Sequence, residues 1–477
     1  MVYDLVCVGA GIANLSLAYK VLKDNSYDNG HVYHRPSVLI IDAGPKITTR
    51  ICPKTKLGYC VGCKPCRITT GFGGAGCFSD CKLTYSKDVG GTLIDYVGKQ
   101  KFSELQDNAK NFFSDLGASA PIYFDQEYFK EFSEKCEEAS LHLVKSEVQH
   151  LGTEGSYELM NELYSRLEKM GATIICDHSV VNINFNTKSI LLDDYTGFGY
   201  DKLSIAVGRY GSEWLSSLCK MKGIPLEENT VDIGVRVEVP KSILDPVTDK
   251  LYEMKIVNQL TEHSSVRTFC VNPGGYVVEE GYDNVKCVNG HSFAGTKSEN
   301  TNFALLHSIR FTEPFNDPIE YGQSICKLAN KLGGGHILVQ RLGDILANKR
   351  TNEKRLSVNT VRPTLKDAIG GDLQYVLPSK TMHAIINTLK KLDKVIPGMY
   401  ADDVLIYAPE VKFYSSKIKL NNKLQVENLE DVYFLGDSSG VTHGIIQACM
   451  SGLYTAENIQ GCSIEIEDES RFPYEIK

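Results

Sequence analysis

The hydrophobic pattern near the start of the chain predicts a strand, a glycine turn and a helix, followed by a second strand. Residues 3–8 (YDLVCV) are rich in β-formers, as in a buried parallel strand, and lead directly into Gly9-Ala10-Gly11. Apolar residues at positions 15, 17, 18, 21 and 22 then follow a helical period. A second apolar run, residues 38–41, ends at Asp42. This order is typical of a dinucleotide-binding unit.

In such a unit the glycines let the backbone approach a pyrophosphate, and the helix N-terminus supplies amide donors with a partial positive charge. We predict that Gly9 permits the turn, that Gly11 faces the phosphates and that Asp42 accepts the ribose hydroxyls. Asn14 stands where the pattern has its third glycine. That departure puts close packing of helix on strand in doubt, but not phosphate binding. The alternative is an α/β turn that holds no ligand.

Two later stretches indicate which nucleotide is bound. Residues 203–209 (LSIAVGR) are an apolar strand that ends in a small-residue turn containing Gly208. Residues 433–437 (YFLGD) are another, and an amphipathic helix follows. Asp437 would accept a ribityl hydroxyl, and the helix that starts at Gly444 would direct its positive end at the flavin. The residues of this late motif that we expect to contact the cofactor are Gly436, Asp437, Gly440 and Gly444.

The early, middle and late motifs together resemble those of FAD-containing flavoproteins of the glutathione-reductase-like superfamily. For Gly436-Asp437 taken alone, the alternative is a β-turn. Helical periodicity is found over residues 102–148, 159–170, 318–332 and 379–392. Strand patterns are found over residues 173–176, 189–192, 232–239, 266–271 and 275–278. Gly333-Gly334-Gly335 follows a helical stretch and is interpreted as its end.

These patterns predict an α/β fold in which one domain is interrupted by another. The first part of a doubly wound, Rossmann-like FAD-binding domain covers residues 1–230, including the helical segment at about 100–148. An inserted α+β substrate domain covers residues 231–385. The FAD-binding domain is completed by residues 386–477. We therefore expect the nucleotide-binding domain to be discontinuous.

Six of the fifteen cysteines lie between positions 52 and 81, which is the unusual feature of the composition. Cys52, Cys60, Cys63 and Cys66 are spaced by eight, three and three positions. Two successive Cys-x-x-Cys steps allow thiolates to face one ion or cluster, and neighbouring lysines favour the thiolate form. We predict a [4Fe-4S] cluster or a structural zinc at these four residues. The alternatives are a dithiol that exchanges electrons with the flavin, or thiols lining a buried turn.

The next segment, residues 71–76 (GFGGAG), is too rich in glycine for a stable helix or strand. It fits a loop whose backbone lies against a flat or anionic ligand. The predicted cofactor contacts of this loop are Gly71, Gly73, Gly74, Ala75 and Gly76. Cys77 and Cys81 would share a helix face if a helix begins near Phe78. They are interpreted either as redox partners facing the flavin or as small buried residues.

Motifs along nearly the whole chain resemble those of a family of uncharacterised FAD-dependent dehydrogenases. The motifs are residues 52–66, 71–80, 232–238, 267–275, 288–292, 300–306, 362–364, 411–414 and 436–442. The resemblance implies a discontinuous FAD-binding domain with an inserted substrate domain, but it implies no substrate. Cys81 stands where relatives are expected to have glycine, and His443 where they are expected to have arginine. Both departures lie near the predicted flavin.

Some side chains in these motifs have the chemistry to act on a substrate. His291 is the best proton donor, since the pKa of an ordinary histidine is near neutrality. Arg236, like Arg267 and Arg362, could bind a carboxylate. The alternatives are a structural histidine and arginines in surface or ion-pair roles. The predicted catalytic residues are Cys77, Cys81, Arg236 and His291.

Charge and hydropathy limit the partners. There are 51 basic and 59 acidic residues, so the formal net charge is −8, which argues against a general nucleic-acid binder. No run of 18 apolar residues and no signal-peptide pattern is present, so we expect a cytoplasmic protein without a membrane partner.

The predicted function is an FAD-dependent oxidoreductase that transfers hydride at flavin N5 to or from a small molecule. Because no second dinucleotide fingerprint is evident, NAD(P)H would dock transiently, or electrons would arrive through the cysteine centre from a redox partner protein. The alternatives are an RNA-modifying flavoprotein and a non-catalytic redox sensor or electron carrier.

Overall fold

The computed structural model describes residues 1–459 except 25–26, 29–32, 58–60, 79–80, 228–230, 263, 283–284, 294–295, 310–317 and 413–416. None of its described helices has the length and apolar character needed to cross a membrane. The helices are α1 (Ile12–Asp24), α2 (Lys54–Leu57), α3 (Ile94–Asp115), α4 (Gln126–Glu138), α5 (Gly152–Lys169), α6 (Ser212–Lys222), α7 (Lys241–Leu251), α8 (Pro318–Leu332), α9 (Leu342–Leu346), α10 (Glu353–Ser357), α11 (Ser379–Val395) and α12 (Ile445–Ile459).

Strands outnumber helices in this part of the chain, and many of them are short. Those of the first half are β1 (Val2–Val8), β2 (Tyr27–Asp28), β3 (Tyr33–His34), β4 (Val38–Asp42), β5 (Lys82–Tyr85), β6 (Ile122–Tyr123), β7 (His142–Leu143), β8 (Glu147–His150), β9 (Thr173–Cys176), β10 (Val180–Asn184), β11 (Ser189–Leu192) and β12 (Gly197–Ile205). Those of the second half are β13 (Leu226–Glu227), β14 (Val231–Pro240), β15 (Ile256–Thr261), β16 (Ser264–Asn272), β17 (Tyr276–Tyr282), β18 (Val285–His291), β19 (Asn300–Ile309), β20 (Leu338–Arg341), β21 (Ile369–Gly370), β22 (Leu405–Lys412), β23 (Lys417–Ile418) and β24 (Val432–Phe434).

The first sheet has seven strands in the order β10-β11-β12-β1-β4-β9, with β24 paired to β12. The strands β24, β12, β1, β4 and β9 run parallel to one another. Their carboxyl ends therefore lie on one side of the sheet, which is called the carboxyl edge below. The end of β1, the end of β4 and the residues that follow β12 and β24 meet there. In open parallel sheets this edge is where ligands bind.

Both faces of the first sheet are buried, because alternate side chains of β1 enter different cores. Leu5 and Cys7 pack with α1, α3, α5 and α12, whereas Val6 and Val8 pack with β10, β11 and α6. This explains the nearly continuous apolar run of β1. A mixed α/β fold is thereby confirmed. The more specific doubly wound arrangement remains a prediction.

Helices α1 and α12 pack closely on the first sheet. A Cβ at Gly452 would lie 2.0 Å from the carbonyl oxygen of Ala13, so only glycine permits this approach. Ser16 Oγ also donates a hydrogen bond of 3.0 Å to the carbonyl oxygen of Cys449. The first and last helices of the described chain are thus held together over one face of the sheet.

The second sheet has eight strands in the order β21-β20-β22-β14-β19-β16-β15-β7. Its strand β14 is buried on both faces but alternates strictly. The odd positions from Val231 to Val239 are apolar and pack against α7 and α11. Asp232, Arg236 and Glu238 occupy even positions and are also buried. The alternation predicted for residues 232–239 is confirmed, and its polar side is buried as well.

At two places, elements pack with a different sheet from the one that the predicted domain boundaries imply. The segment at about 100–148 was expected to belong with the first sheet, and Phe113 of α3 does lie in the core of that sheet. The later part of the segment differs, since Leu143 of β7 pairs with Ile256 and Phe132 of α4 lies in the core of the second sheet. Strand β22 falls within the expected closing part but pairs with β14. The chain therefore rejoins the first sheet only after Lys412. A two-residue strand such as β7 has no pattern from which its partner could be read.

Candidate functional site

The turn between β1 and α1 has the properties of a phosphate-binding turn. Gly9 has a φ of +94°, and a Cβ there would lie 2.3 Å from the carbonyl oxygen of Ala206, at the end of β12. Gly11 differs, since a Cβ on it would meet no atom within 4 Å. Gly9 is therefore required by the fold. Gly11 leaves open space in front of the amides that begin α1.

Asp42 closes this turn from the end of β4. Its Oδ2 accepts a hydrogen bond of 2.8 Å from the amide of Ala10, and its Oδ1 accepts one of 2.8 Å from the amide of Gly44. Burial raises the pKa of Asp42, although these amide bonds and the nearby Arg50 oppose the rise. The carboxylate is thus placed beside the glycine turn, where the sequence predicts a ribose-binding acid.

Asn14 performs a structural role that the glycine pattern did not indicate. Its Nδ2 donates to the carbonyl oxygens of Val8 (2.9 Å) and Gly9 (2.7 Å), and its Oδ1 accepts a bond of 2.6 Å from Ser204 Oγ. The side chain is fully buried. Asn14 therefore joins α1 to the ends of β1 and β12 by hydrogen bonds where a glycine would join them by close approach.

The glycine loop at residues 71–76 lies directly on this turn. The amide of Gly73 donates to the carbonyl oxygen of Ala10 at 2.8 Å, and a Cβ on Gly74 would lie 3.1 Å from the Cα of Gly11. Gly71 and Gly74 have positive φ values, of 118° and 62°. The two predicted glycine segments are therefore brought together in the structure.

Arg50 holds the glycine loop in place and was not identified from the sequence. Its buried guanidinium donates to the carbonyl oxygens of Arg67 (2.8 Å), Ile68 (2.6 Å) and Phe72 (2.8 Å). Burial lowers the pKa of Arg50, and the thiol of Cys77 and the carboxylate of Asp42 oppose that change. A single arginine between a strand and a cysteine segment carries no pattern that would reveal this role.

The late motif reaches the same edge of the sheet. Asp437 follows β24, and its carboxylate accepts from His443 Nδ1 at 2.6 Å and pairs with Arg209 Nε at 3.1 Å. Burial opposes ionisation, but the bond from His443 and the charge of Arg209 lower the pKa of Asp437 below its usual value. Asp437 is therefore charged at neutral pH. Gly208, one residue before Arg209, also faces open space.

The glycine pair Gly90-Gly91, which was not predicted to belong to the site, contacts the start of α12. The amides of His443 and Gly444 both donate to the carbonyl oxygen of Gly90, at 2.7 and 3.1 Å. Gly91 has a φ of +135°, and a Cβ on it would lie 2.3 Å from the carbonyl oxygen of Val441. Two consecutive glycines before a helix are the sequence feature that could have revealed this contact.

One polar atom at this helix start has no partner. Thr442 is fully buried, and its Oγ1 makes no hydrogen bond within the described part of the chain. Buried hydroxyls are normally satisfied, so the Thr442 hydroxyl is available to a water or to a ligand at this edge. The predicted cofactor residues that meet at the carboxyl edge or in the glycine loop on it are Gly9, Gly11, Asn14, Asp42, Gly71, Gly73, Gly74, Ala75, Gly76, Gly208, Gly436, Asp437, Gly440 and Gly444.

Cys77 and Cys81 are buried but do not lie on a common helix. Cys77 belongs to a 3-10 turn over Ala75–Phe78, and Cys81 precedes β5 with a φ of +45°. Residues 79–80 are outside the described residues. Burial raises the pKa of Cys77 to about 11, although Arg50 opposes the rise. The Cys77 thiol is therefore protonated at neutral pH, which disfavours its action as a nucleophile. A redox role for the two thiols remains a prediction.

The structure describes three of the four cysteines that were predicted to bind a metal. Cys52, Cys63 and Cys66 are partly buried, and Cys60 is outside the described residues. The one described group of three or more ligand-type side chains within 4.8 Å of one another is the exposed set His178, Asp193 and Asp194. The three described thiols do not form such a group, so the four-cysteine centre remains a prediction.

Arg236 and His291 belong to the second sheet and its hairpin. The fully buried guanidinium of Arg236 donates to both carboxylate oxygens of Glu410, from Nε at 2.8 Å and from Nη2 at 2.7 Å. It also donates to Asn289 Oδ1 (2.9 Å) and to the carbonyl oxygen of Cys270 (2.8 Å). These bonds fit the ion-pair alternative. His291 ends β18, with its ring 4.5 Å from that of Phe293. Catalytic roles for both residues remain predictions.

Comparisons with known proteins found similarity to one family model and to one curated relative. Residues 230–413 match the family described as "FAD-dependent protein, C-terminal domain-like". This range runs from the start of β14 to the end of β22, and so contains most of the second sheet. A protein of Clostridium beijerinckii described as "Uncharacterized protein" is 25% identical over 417 residues, which are 82% of this chain and 70% of that one.

Two solved structures resemble the fold loosely. Glycine oxidase from Geobacillus kaustophilus is 11% identical, with a TM-score of 0.39 over 96% of this chain and 95% of its own. L-proline dehydrogenase from P. horikoshii is 12% identical, with a TM-score of 0.40 over 98% of this chain and 95% of its own. TM-scores below 0.5 describe only a loosely shared arrangement of elements.

Proposed function

We propose that this protein is an FAD-dependent oxidoreductase whose first sheet holds the cofactor at its carboxyl edge. The observation that carries the proposal is the convergence of the early and late motifs. The glycine turn at 9–11 and the segment 436–444 are more than 400 positions apart, yet both lie at the carboxyl ends of parallel strands of one sheet. The match of residues 230–413 to an FAD-dependent family supports the identity of the cofactor.

The residues at this edge fit FAD. Gly11 and Gly208 have open space in front of them, and Thr442 Oγ1 is a buried donor that needs an acceptor. The start of α1 would hold the pyrophosphate, and Asp42 would hold the adenosine ribose. Asp437 would accept a ribityl hydroxyl, and the start of α12 would lie by the flavin ring. When bound, the flavin supplies two-electron chemistry at N5.

The protein's own groups would position the cofactor and control charge around it. Arg209 and His443 keep Asp437 ionised, so it acts as an acceptor for a hydroxyl. Arg50 holds the glycine loop against the turn, and the loop would exclude water from one side of the bound phosphates. The cysteine segment, as a cluster or a dithiol, would be the route to a redox partner protein, whereas a zinc ion there would be structural. NAD(P)H would be a transient donor, and the substrate a small molecule.

The first experiment is to purify the full chain without oxygen and to measure flavin, iron, sulfide and zinc. The expected result is one FAD per chain, identified by mass and by its absorption bands. A chain that carries no flavin and does not bind added FAD would overturn the proposal. Iron with sulfide, or zinc alone, would decide the identity of the cysteine centre without affecting the flavin assignment.

A pair of glycine variants locates the cofactor. Gly11→Val fills the open space before α1, so we expect at least a tenfold loss of FAD affinity with an unchanged melting temperature. Gly281→Val is the matched control, since Gly281 in β17 also faces open space. It should bind FAD as the unmodified chain does. Equal FAD affinity in both variants would place the cofactor elsewhere.

Turnover separates the enzyme from an electron carrier. An enzyme reduces its flavin with NAD(P)H or with a small-molecule donor and passes the electrons repeatedly to an acceptor. A carrier is reduced by a stoichiometric amount of donor and does not turn over. Stopped-flow reduction followed by steady-state assays over a panel of small donors and acceptors distinguishes these outcomes.

A further inference from the structure

Two buried thiols face each other in the second half of the chain, away from the predicted cysteine centre. Cys287 lies on β18 and Cys326 on α8, and both are free cysteines. Their Sγ atoms are 3.3 Å apart, and their residues are 1% and 0% exposed. The two side chains therefore point at each other, although the chain between them is 38 residues long.

A pair of amide hydrogen bonds holds the two elements together beside these thiols. Asn330 Oδ1 accepts from the amide of Lys286 at 2.8 Å, and Asn330 Nδ2 donates to the carbonyl oxygen of Lys286 at 2.9 Å. Lys286 is the residue before Cys287. Asn330 is one helical turn after Cys326, on the same side of α8. The backbone positions on both sides of the thiol pair are thus fixed by the fold.

We propose that Cys287 and Cys326 are a modification site that a peroxide converts to a disulfide. The sulfur of one cysteine attacks a peroxide oxygen, the O–O bond breaks and one water leaves, so that a sulfenic acid forms. The second sulfur then attacks the sulfenic sulfur, the S–S bond forms and a second water leaves. Two thiols and one hydrogen peroxide give one disulfide and two waters.

The bond would connect α8 to the hairpin of β17 and β18. That hairpin carries Asn289, which binds Arg236, and His291, which ends β18. Oxidation would therefore fix the hairpin over the polar face of the second sheet. Because the neighbouring Cys326 thiol and burial raise the pKa of Cys287, the thiolate fraction is small and the reaction should be slow. This proposal does not depend on the flavin.

The test uses the full chain treated with hydrogen peroxide for several hours at pH 8. The reaction is then quenched, and the chain is unfolded in an alkylating agent and digested without reductant. We expect a peptide pair that joins Cys287 to Cys326, with a mass two hydrogens below the sum of the separate peptides. The oxidised chain should also melt at a higher temperature than the reduced chain, because the cross-link restricts the unfolded state.

Two variants check the assignment. Cys326→Ala should abolish both the linked peptide and the rise in melting temperature. Cys136→Ala is the matched control, since Cys136 is equally buried, on α4, and should retain both. Recovery of Cys287 and Cys326 as separately alkylated or over-oxidised residues of the unmodified chain would overturn the proposal. Linkage of Cys287 to a different cysteine would overturn it as well. The mass measurement on the unmodified chain is decisive even if a variant fails to fold.

Discussion

At the carboxyl edge of the first sheet, Gly11 and Gly208 face open space and Thr442 Oγ1 has no partner in the described chain. The polar face of the second sheet is instead covered by the hairpin, although Asn302 Nδ2 there also lacks a partner among the described residues. There, Arg236 pairs with Glu410, and Glu238 accepts from Tyr407 at 2.5 Å. The hairpin backbone covers this face so closely that a Cβ on Gly290 would lie 2.7 Å from Arg236 Nη1.

The difference separates polar residues that can bind a ligand from those that stabilise the fold. Unpartnered donors occur at both sheets, but Thr442 lies at the edge where Gly11 and Gly208 leave open space, which is the arrangement that the proposed cofactor site needs. Charges with several internal partners are costly to disturb, because the partner left behind is buried and uncompensated. Substitutions on the second sheet should therefore change mainly the free energy of unfolding, whereas substitutions at the carboxyl edge should change mainly cofactor binding.

The largest loss of stability should follow Arg236→Met, because the buried carboxylate of Glu410 loses its two guanidinium hydrogen bonds and keeps the ion pair with Lys412 Nζ at 3.1 Å. We expect a decrease of about 3–5 kcal/mol in the free energy of unfolding. Chemical denaturation measures it. The double variant Arg236→Met with Glu410→Met should recover only part of that loss, because the buried Lys412 ammonium then loses the Glu410 carboxylate. A single variant within about 1 kcal/mol of the unmodified chain would show that the polar face of the second sheet is not covered as described.

The ion pair between Glu253 and Lys82 of β5 should make the stability of the protein depend on pH. Burial opposes ionisation of the carboxyl, but Lys82 and Lys255 lower the pKa of Glu253 to about 2. A carboxyl with a depressed pKa stabilises the folded state above its ordinary pKa, and this contribution is lost as pH falls through the folded value. Glu253→Gln should therefore cost on the order of 3 kcal/mol at pH 7. The difference should shrink as pH falls from 5 to 2 in urea titrations. A difference that does not vary with pH would contradict the ion-pair explanation.

Asn14→Gly restores the glycine pattern but should destabilise the protein by about 2 kcal/mol, because three buried hydrogen bonds are lost. Thermal and urea unfolding would measure the change. Gly11→Val, a short distance along the same turn, should leave stability unchanged while it removes cofactor binding. If Asn14→Gly instead raises stability, the side-chain bonds of Asn14 contribute less than the close helix packing that glycine permits.

The smallest effect is expected for His443→Ala. His443 is partly exposed and Asp437 keeps its contact with Arg209, so the free energy of unfolding should change by less than about 1 kcal/mol. The pKa of Asp437 should move up towards its ordinary value, since one of its two stabilising groups is gone. NMR titration of the Asp437 carboxyl carbon would show this shift. A pKa that stays in place would assign the depression to Arg209 alone.

Local patterns were sufficient where an element is specified by its own residues. The run ending at Val8, the acid at the end of β4 and the helix Pro318–Leu332 were all predicted from consecutive side chains. The sequence also indicated the alternation of β14. It could not show that Arg236 faces Glu410, because these residues are 174 positions apart and each is consistent with several partners.

The same limit applies to the site. Asp42 was found because a strand-terminal acid has a recognisable place, whereas Arg50 was missed because backbone carbonyls are its partners and every residue has one. Asn14 was noticed only as a departure from a pattern. Its role depends on Ser204, a residue of another strand. Contacts between distant segments are the part of this fold that consecutive residues do not encode.

Because α12 packs on α1, part of the core of the first sheet can form only after the end of the chain has been synthesised. Ser16 and Cys449, which meet in that packing, are separated by 433 positions, so α1 leaves the ribosome long before its partner exists. Until then its face toward α12 is uncovered, while all the strands of the second sheet have already been synthesised. The carboxyl edge is consequently among the last parts of the molecule to be completed during translation. If this edge holds FAD as proposed, capture of the cofactor would follow completion of the chain.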